Sequence, residues 1–202
     1  SSDVCSSDLD TSGGPLFKRG WRQETGDAPL RENLGAGLLR TAGWKPGVPL
    51  LDPMCGSGTI AIEAAMIALG QAPQIHRKKG QFLFEWMKDF NRDLWREVQD
   101  QARAGKRETP EQPIVASDIS RHYVDQAREN ALRARVEKHI DFKVGKFQDA
   151  EPPAERGILI ANLPYGERLG KDGLEELTAL YKSIGDTLKR RFAGWQIGRA
   201  HV

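Results

Sequence analysis

Residues 48–70 constrain the fold of this chain more than any other stretch. Val48-Pro49-Leu50-Leu51-Asp52 is a short apolar run ending in an acid. Pro53 to Gly58 is a glycine loop, and Thr59 to Leu69 is an alanine-rich segment closed by Gly70. The run has the length of a buried strand, and the alanine-rich segment suits a buried helix that Gly70 can terminate. A strand passing through a glycine turn directly into a helix is the opening of a parallel crossover unit. Gly56 and Gly58 allow a ligand close to the backbone at the helix N-terminus, and Ala61 allows tight helix–strand packing.

The rest of the chain repeats strand and helix. Asp27 can cap a helix in which Leu30, Leu34 and Leu38 recur at four-residue spacing. Residues 71–112 read as an insertion holding Trp86, Trp95 and a helical stretch with Leu94, Val98 and Ala102. Ile114 to Asp118 is the second strand, and Ser120 caps a helix carrying Val124, Ala127 and Ala131. Ile140 to Val144 is the third strand and Ile158 to Ala161 the fourth, followed by a helix with Leu174, Leu177, Tyr181, Ile184 and Leu188 on one face. This alternation predicts an α/β, doubly wound, mostly parallel sheet with ligands outside the carboxyl ends of its strands.

Asp52, Asp118 and Asn162 all fall at such strand ends. Gly56-x-Gly58-x-x-Ala61 also fits a dinucleotide fingerprint, so the glycines alone do not select a ligand. Asp52 disfavours a pyrophosphate at this helix and favours a ligand carrying an amine and a sulfonium. Downstream, Asn162-Leu163-Pro164-Tyr165 ends the fourth strand. Pro164 stiffens the loop. The Asn162 carboxamide and a backbone carbonyl can accept the protons of a planar exocyclic amine, with the Tyr165 ring beside it.

Asp52-Pro53-Met54-Cys55-Gly56-Ser57-Gly58-Thr59 together with Asn162 to Leu169 resembles the S-adenosylmethionine-dependent RNA guanine-N2 methyltransferases of the THUMP-associated, RlmL type. Lys18-Arg19-Gly20-Trp21-Arg22 and Ala28 to Leu34 extend the likeness over nearly the whole chain. The resemblance implies a Rossmann-like class I methyltransferase whose carboxyl-terminal strands are missing. It implies S-adenosyl-L-methionine as cofactor and 23S ribosomal RNA as substrate and partner, in the cytoplasm. Asp52, Met54, Gly56, Gly58, Thr59 and Asp118 would hold the cofactor, with Asp118 on the ribose. Asn162, Leu163, Pro164 and Tyr165 would grip the amine, and Lys18, Arg19, Trp21, Tyr165 and Arg168 would contact RNA. Two positions depart from the family pattern. Leu163 stands for the usual Pro, and Gly145-Lys146 stands where relatives carry an adenine-binding acid, leaving Asp149 for that role.

The alternatives are a DNA adenine or protein glutamine amino-methyltransferase, a nicotinamide-dependent oxidoreductase, and a non-catalytic RNA-binding fragment. A cytosine C5 methyltransferase would need a nucleophilic Cys beside Pro164, and none is there. Cys55 reads as a small packing residue, and no metal is expected. The net charge of +2 does not itself argue nucleic-acid binding. His76-Arg77-Lys78-Lys79 and Lys189-Arg190-Arg191 read first as solvated charge clusters. No apolar run approaches the ~18 residues of a membrane span.

The ends look foreign. Val4 to Leu9 and Gln196 to Val202 can be encoded by reverse-complementary stretches that resemble a sequencing-library adapter. Residues 1–9 and 196–202 are therefore expected to be adapter-derived tails flanking a partial domain at 10–195. The far edge of the fourth strand would then be unpaired.

Overall fold

The computed structural model describes residues 10–22, 30–164 and 171–199. Strands β1 (Leu50–Asp52), β2 (Ile114–Asp118), β3 (Asp141–Val144), β4 (Ile158–Ala161) and β5 (Gln196–Arg199) form one sheet in the order β3-β2-β1-β4-β5. Every neighbouring pair is parallel. The helices are α1 (Glu32–Thr41), α2 (Thr59–Ala68), α3 (Arg92–Ala104), α4 (Arg121–Arg133) and α5 (Lys171–Arg191).

Both faces of the sheet are covered. Leu50, Ile114, Ala116, Ile158 and Ile160 share one core with Ile62 and Ala65 of α2 and with Ala127 and Ala131 of α4. Leu51, Val115, Leu159 and Ala161 point into a second core with Ile184 of α5, Phe192 and Trp195. Strands buried on both sides read as unbroken apolar runs, which explains the compositions of β1, β2 and β4.

The glycine loop is shaped by two different needs. Gly56 has φ +49°, and a Cβ there would meet nothing within 4 Å. Gly58 has φ +84°, and a Cβ there would lie 2.9 Å from the Ala127 Cβ. Gly56 therefore opens onto free space, whereas Gly58 is small so that α2 can start against α4. Gly58 thus has a packing reason of its own, beside the ligand role expected of both glycines. Gly58→Ala is expected to cost about 2–4 kcal/mol by denaturant unfolding, from left-handed strain plus overpacking. Gly56→Ala should cost less.

Three expectations change. The expected unpaired edge of β4 is instead covered by β5, with Ile158 level with Gln196 and Ala161 level with Arg199. Trp195, buried against Gly157 with its Nε1 donating to the Ala154 carbonyl at 3.2 Å, delivers the chain to that edge. Pairing through backbone groups asks little of side chains, so residues 196–199 join the sheet whatever their origin. In α1 the buried residues are Glu32, Gly35 and Leu39, while Leu34 is 41% exposed. In α3 the half-buried stripe is Trp95, Gln99 and Ala102, and Leu94 and Val98 face outward. Trp95 anchors that helix edge-on against Phe82 and Phe84, with centroids 5.5 and 5.0 Å away. The Asp27 cap lies outside the described residues.

Candidate functional site

The strand order reverses at β1, where the chain turns from building toward β3 to building toward β5. Such a reversal leaves a crevice outside the carboxyl ends of the strands. Asp52 ends β1 and is level with Ala116 of β2, so Asp118 sits two residues further along the neighbouring strand. On the other side Leu51 is level with Leu159, and Asn162 follows the last residue of β4. Three strand ends thus bring Asp118, Asp52 and Asn162 to one edge of the sheet.

Asp118 is tied into the glycine loop. Its Oδ2 accepts the Gly56 N–H at 3.0 Å and its Oδ1 accepts the Ser120 N–H at 3.0 Å. Each carboxylate oxygen keeps a further lone pair for a hydroxyl donor. The loop is also held from beneath. The Cys55 N–H donates to the Ser117 carbonyl at 2.9 Å, and Asn130 of α4, buried, donates its Nδ2 to the Ser57 carbonyl at 3.1 Å.

Arg22, read in the sequence only as part of the Lys18 to Arg22 stretch, braces the glycine loop. Its guanidinium donates to Ser57 Oγ at 3.1 Å, Thr59 Oγ1 at 2.6 Å and the Leu30 carbonyl at 2.8 Å. It also pairs with the buried Glu32 at 3.4 Å. One side chain thus braces the loop, the start of α2 and the approach to α1. Arg19 is occupied similarly, pairing with Glu63 of α2 at 3.2 Å. Burial raises the Glu63 carboxyl, and the Arg19 guanidinium opposes that shift. The sequence signal was Glu63 itself, an acid inside an otherwise apolar helix that calls for a buried cation.

Asp52 is 1% exposed, and burial pushes its carboxyl up to about 8. The Met54 N–H, donating to its Oδ1 at 3.4 Å, opposes the shift, and the nearby Asp118 charge adds to it. Near neutral pH the bare site therefore holds Asp52 mainly as the acid, and a cationic group beside it would favour the carboxylate. Because the folded value lies above the ordinary 3.8, this group's stabilising contribution is full below about 4 and is lost as pH rises through 8. Chemical unfolding of the ligand-free protein should show stability falling by up to about 1.4 kcal/mol per pH unit in that window. Asp52→Asn should flatten the profile.

Cys55 is buried, and burial followed by the Asp52 charge pushes its thiol up, which suits packing and not nucleophilic attack. Met54 and Leu163 pack at the margin of the second core. Asn162 and Leu163 are half-buried and Pro164 is exposed, with its carbonyl accepting the Tyr181 hydroxyl at 3.1 Å. That bond ties the amine-binding loop to α5. Asp149 is exposed at the end of a short 3-10 turn after β3, while Gly145 donates to the Asp118 carbonyl at 3.0 Å. Tyr165 and Arg168 lie outside the described residues.

The RNA-contact expectations divide. Lys18 is exposed. Trp21 is 2% exposed within the first core and does not offer its ring face to a base on the surface. Arg19, also expected to contact RNA, is half-buried and paired with Glu63. Among the described residues no group of three or more His, Cys, Asp and Glu is placed to hold a metal ion. No helix among them is long and apolar enough to cross a membrane.

Residues 19–200 match the UPF0020 family, described as the RMKL-like methyltransferase domain. The chain is 42% identical to slr0064 of Synechocystis sp. over 191 residues, which is 95% of this chain and 49% of that protein. It is 42% identical over 194 residues to the ribosomal RNA large subunit methyltransferase K/L of Shewanella frigidimarina, covering 94% of this chain and 26% of that one. The crystal structure of SMU.472 complexed with SAH superposes with a TM-score of 0.81 at 35% identity, over 91% of this chain and 47% of that one. The chain therefore spans half or less of the length of these relatives.

Proposed function

Because the chain belongs to the UPF0020 family of RMKL-like methyltransferase domains, we propose that its substrate is a guanine in large-subunit (23S) ribosomal RNA, methylated at the exocyclic N2 amine from S-adenosyl-L-methionine. The cofactor agrees with the SAH held by SMU.472. The RNA assignment follows the name of the Shewanella relative. The observation that carries the reading is the convergence of Asp118, Asp52 and Asn162 at three adjacent strand ends.

The residues present suit the cofactor. The open space above Gly56 admits a ligand against the backbone, and among the described residues buried Asp52 has no cationic partner, which an amine or sulfonium would provide. The spare lone pairs of Asp118 suit vicinal ribose hydroxyls, and Asp149 is the acid available to the adenine amine. When bound, S-adenosylmethionine supplies an activated methyl group on its sulfonium. Asn162 Oδ1 and the Leu163 carbonyl accept the two N–H bonds of the target amine and turn its lone pair toward the methyl group. Tyr165 stacks on the base and Arg168 meets its phosphate. The amine cannot reach a buried methyl donor from within a stack, so the base must be unpaired or turned out. Catalysis here is positioning, with no covalent intermediate on the protein.

Linkage ties cofactor affinity to pH. If a cation settles beside Asp52, binding takes up the ionised form, and affinity should rise between about pH 6 and 8 and then level off. Calorimetry in buffers of different ionisation heat should detect proton release over that range. Absence of both the rise and the release would remove Asp52 from the cationic end of the cofactor.

The substrate is tested by labelled methyl transfer from S-adenosylmethionine to unmodified 23S ribosomal RNA, followed by nuclease digestion. Label in N2-methylguanosine is expected. Label only in N6-methyladenine of DNA, or only in protein glutamine, would overturn the guanine reading while leaving the amine-gripping loop intact.

A further inference from the structure

The insertion after α2 carries a tryptophan unlike the others. Trp86 is 75% exposed, whereas Trp21, Trp44 and Trp195 are buried. It ends a short 3-10 turn, Leu83–Trp86, and its ring is fixed although it is exposed. The indole Nε1–H donates to the Gly80 carbonyl at 3.1 Å, and the Glu85 carboxylate accepts the Gly80 N–H at 3.0 Å. A Cβ at Gly80 would meet the ring at Cζ2, Cε2 and Nε1, at 3.4 to 4.0 Å, so the turn holds the indole along that one edge. A ring held by its edge leaves its faces to solvent.

The surrounding chain is cationic. Lys78 and Lys79 directly precede Gly80, and Lys88 lies just past Trp86; all three are exposed. The two lysines ride on a closed turn, in which the Gln81 N–H donates to the Lys78 carbonyl at 3.2 Å and the Lys78 N–H to Gln81 Oε1 at 2.8 Å. Residues 77–92 hold five cations and two acids, and one of those acids, Glu85, is taken by Gly80. The ion pairs of the insertion lie further along, at Arg96–Asp93, Arg103–Asp100 and Arg107–Glu111, so among the described residues the three lysines are unpaired. Leu83 and Met87, 50% and 40% exposed, widen the apolar surface, which a protein could also cover. Charge complementarity decides between the two. Lysine is depleted in protein interfaces, whereas an open aromatic face among cations is what single-stranded nucleic acid uses, its base stacking and its backbone meeting the charges.

We infer that the Trp86 surface of the insertion docks single-stranded RNA, with one base stacked on the indole and neighbouring phosphates met by Lys78, Lys79 and Lys88. The inference rests on the RNA reading above. The ten residues of α2 put the start of the insertion about 15 Å from the glycine loop, so this surface takes a part of the strand away from the target base. Stacking accepts any base, and the surface therefore adds affinity without choosing sequence. Trp86 is thus the open aromatic that Trp21, buried in the core, is not.

The test reads binding alone. The 202-residue chain is titrated into a short, end-labelled single-stranded RNA of mixed sequence, followed by fluorescence anisotropy, and into the same strand annealed to its complement. The single strand should bind more tightly than the duplex, whose base faces are already stacked. Trp86→Ala should weaken single-strand binding by about 5- to 100-fold. Trp86→Phe keeps an aromatic face but loses the bond to Gly80, and it should stay within about threefold of the parent. Lys78→Gln combined with Lys79→Gln should weaken every sequence alike and lower the slope of log affinity against log salt by about 1.4, roughly 0.7 per lysine. S-adenosylmethionine affinity should be unchanged in all of these variants. RNA captured in this way without label in N2-methylguanosine would sink the guanine reading and leave the docking surface standing. A parent that binds no RNA, parental affinity in Trp86→Ala, or a loss in Trp86→Phe equal to that in Trp86→Ala would overturn the stacking site. A dimer that Trp86→Ala dissolves while RNA affinity holds would overturn it too, and would give the surface to a second copy of the chain.

Discussion

Asn162→Ala should lower kcat for methyl transfer by roughly 10²–10³-fold while changing S-adenosylmethionine affinity little. Asn162 follows directly on β4, whose four residues are all buried between helices. The strand end is therefore packed on both faces, and the loop beyond it is tied to α5 through the Tyr181 hydroxyl. In this setting the carboxamide is a preorganised acceptor, contributing most as the amine nitrogen commits its lone pair to the methyl carbon. Asn162→Asp keeps an acceptor but brings a third carboxylate toward Asp52 and Asp118, so it should recover only part of the rate. Tyr165→Phe should be mild and Tyr165→Ala severe, because stacking uses the ring and not the hydroxyl. Single-turnover kinetics with saturating cofactor reads the chemical step directly. If Asn162→Ala stays within a few-fold of the parent, the amine is gripped elsewhere.

The parts of this fold that were legible in the sequence are those where one residue type answers one local need. Ile114–Asp118 and Ile158–Ala161 are β-branched apolar runs bounded by breakers, and the strands occupy those spans. Ser120 caps α4, and Gly70 follows α2 with φ +63°. What was not legible depends on contacts distant in the chain. Leucine spacing in α1 pointed to Leu34, yet Gly35 faces the core because α1 packs closely on Thr59, whose Cγ2 would lie 3.1 Å from a Cβ at Gly35. Arg22 reaches Ser57 and Thr59 across 35 and 37 residues, a relation that no local periodicity encodes. Gly58 and Gly56 look alike in the loop, and only the approach of Ala127 separates their roles. The site was therefore readable at its strand ends, and its supporting layer was not.

That supporting layer shapes the second large effect, on Asp118. Asp118→Ala should weaken S-adenosylmethionine binding by about 1–3 kcal/mol, or roughly 5- to 150-fold. Two routes contribute. One is direct loss of the carboxylate to the ribose hydroxyls. The other is release of Gly56, whose N–H donates to Asp118 Oδ2 and would be left without an acceptor. Asp118→Asn retains one acceptor oxygen and should fall between parent and alanine variant. A double-mutant cycle separates the routes, pairing Asp118→Ala with a cofactor analogue whose ribose hydroxyls are removed. If the contact is direct, the analogue binds the parent more weakly than S-adenosylmethionine, and the alanine variant no longer distinguishes the two. If Asp118 acts only by holding Gly56, the losses add, and the ribose must be held by another residue. Unchanged calorimetric affinity in Asp118→Ala would exclude both routes and move the cofactor away from the end of β2.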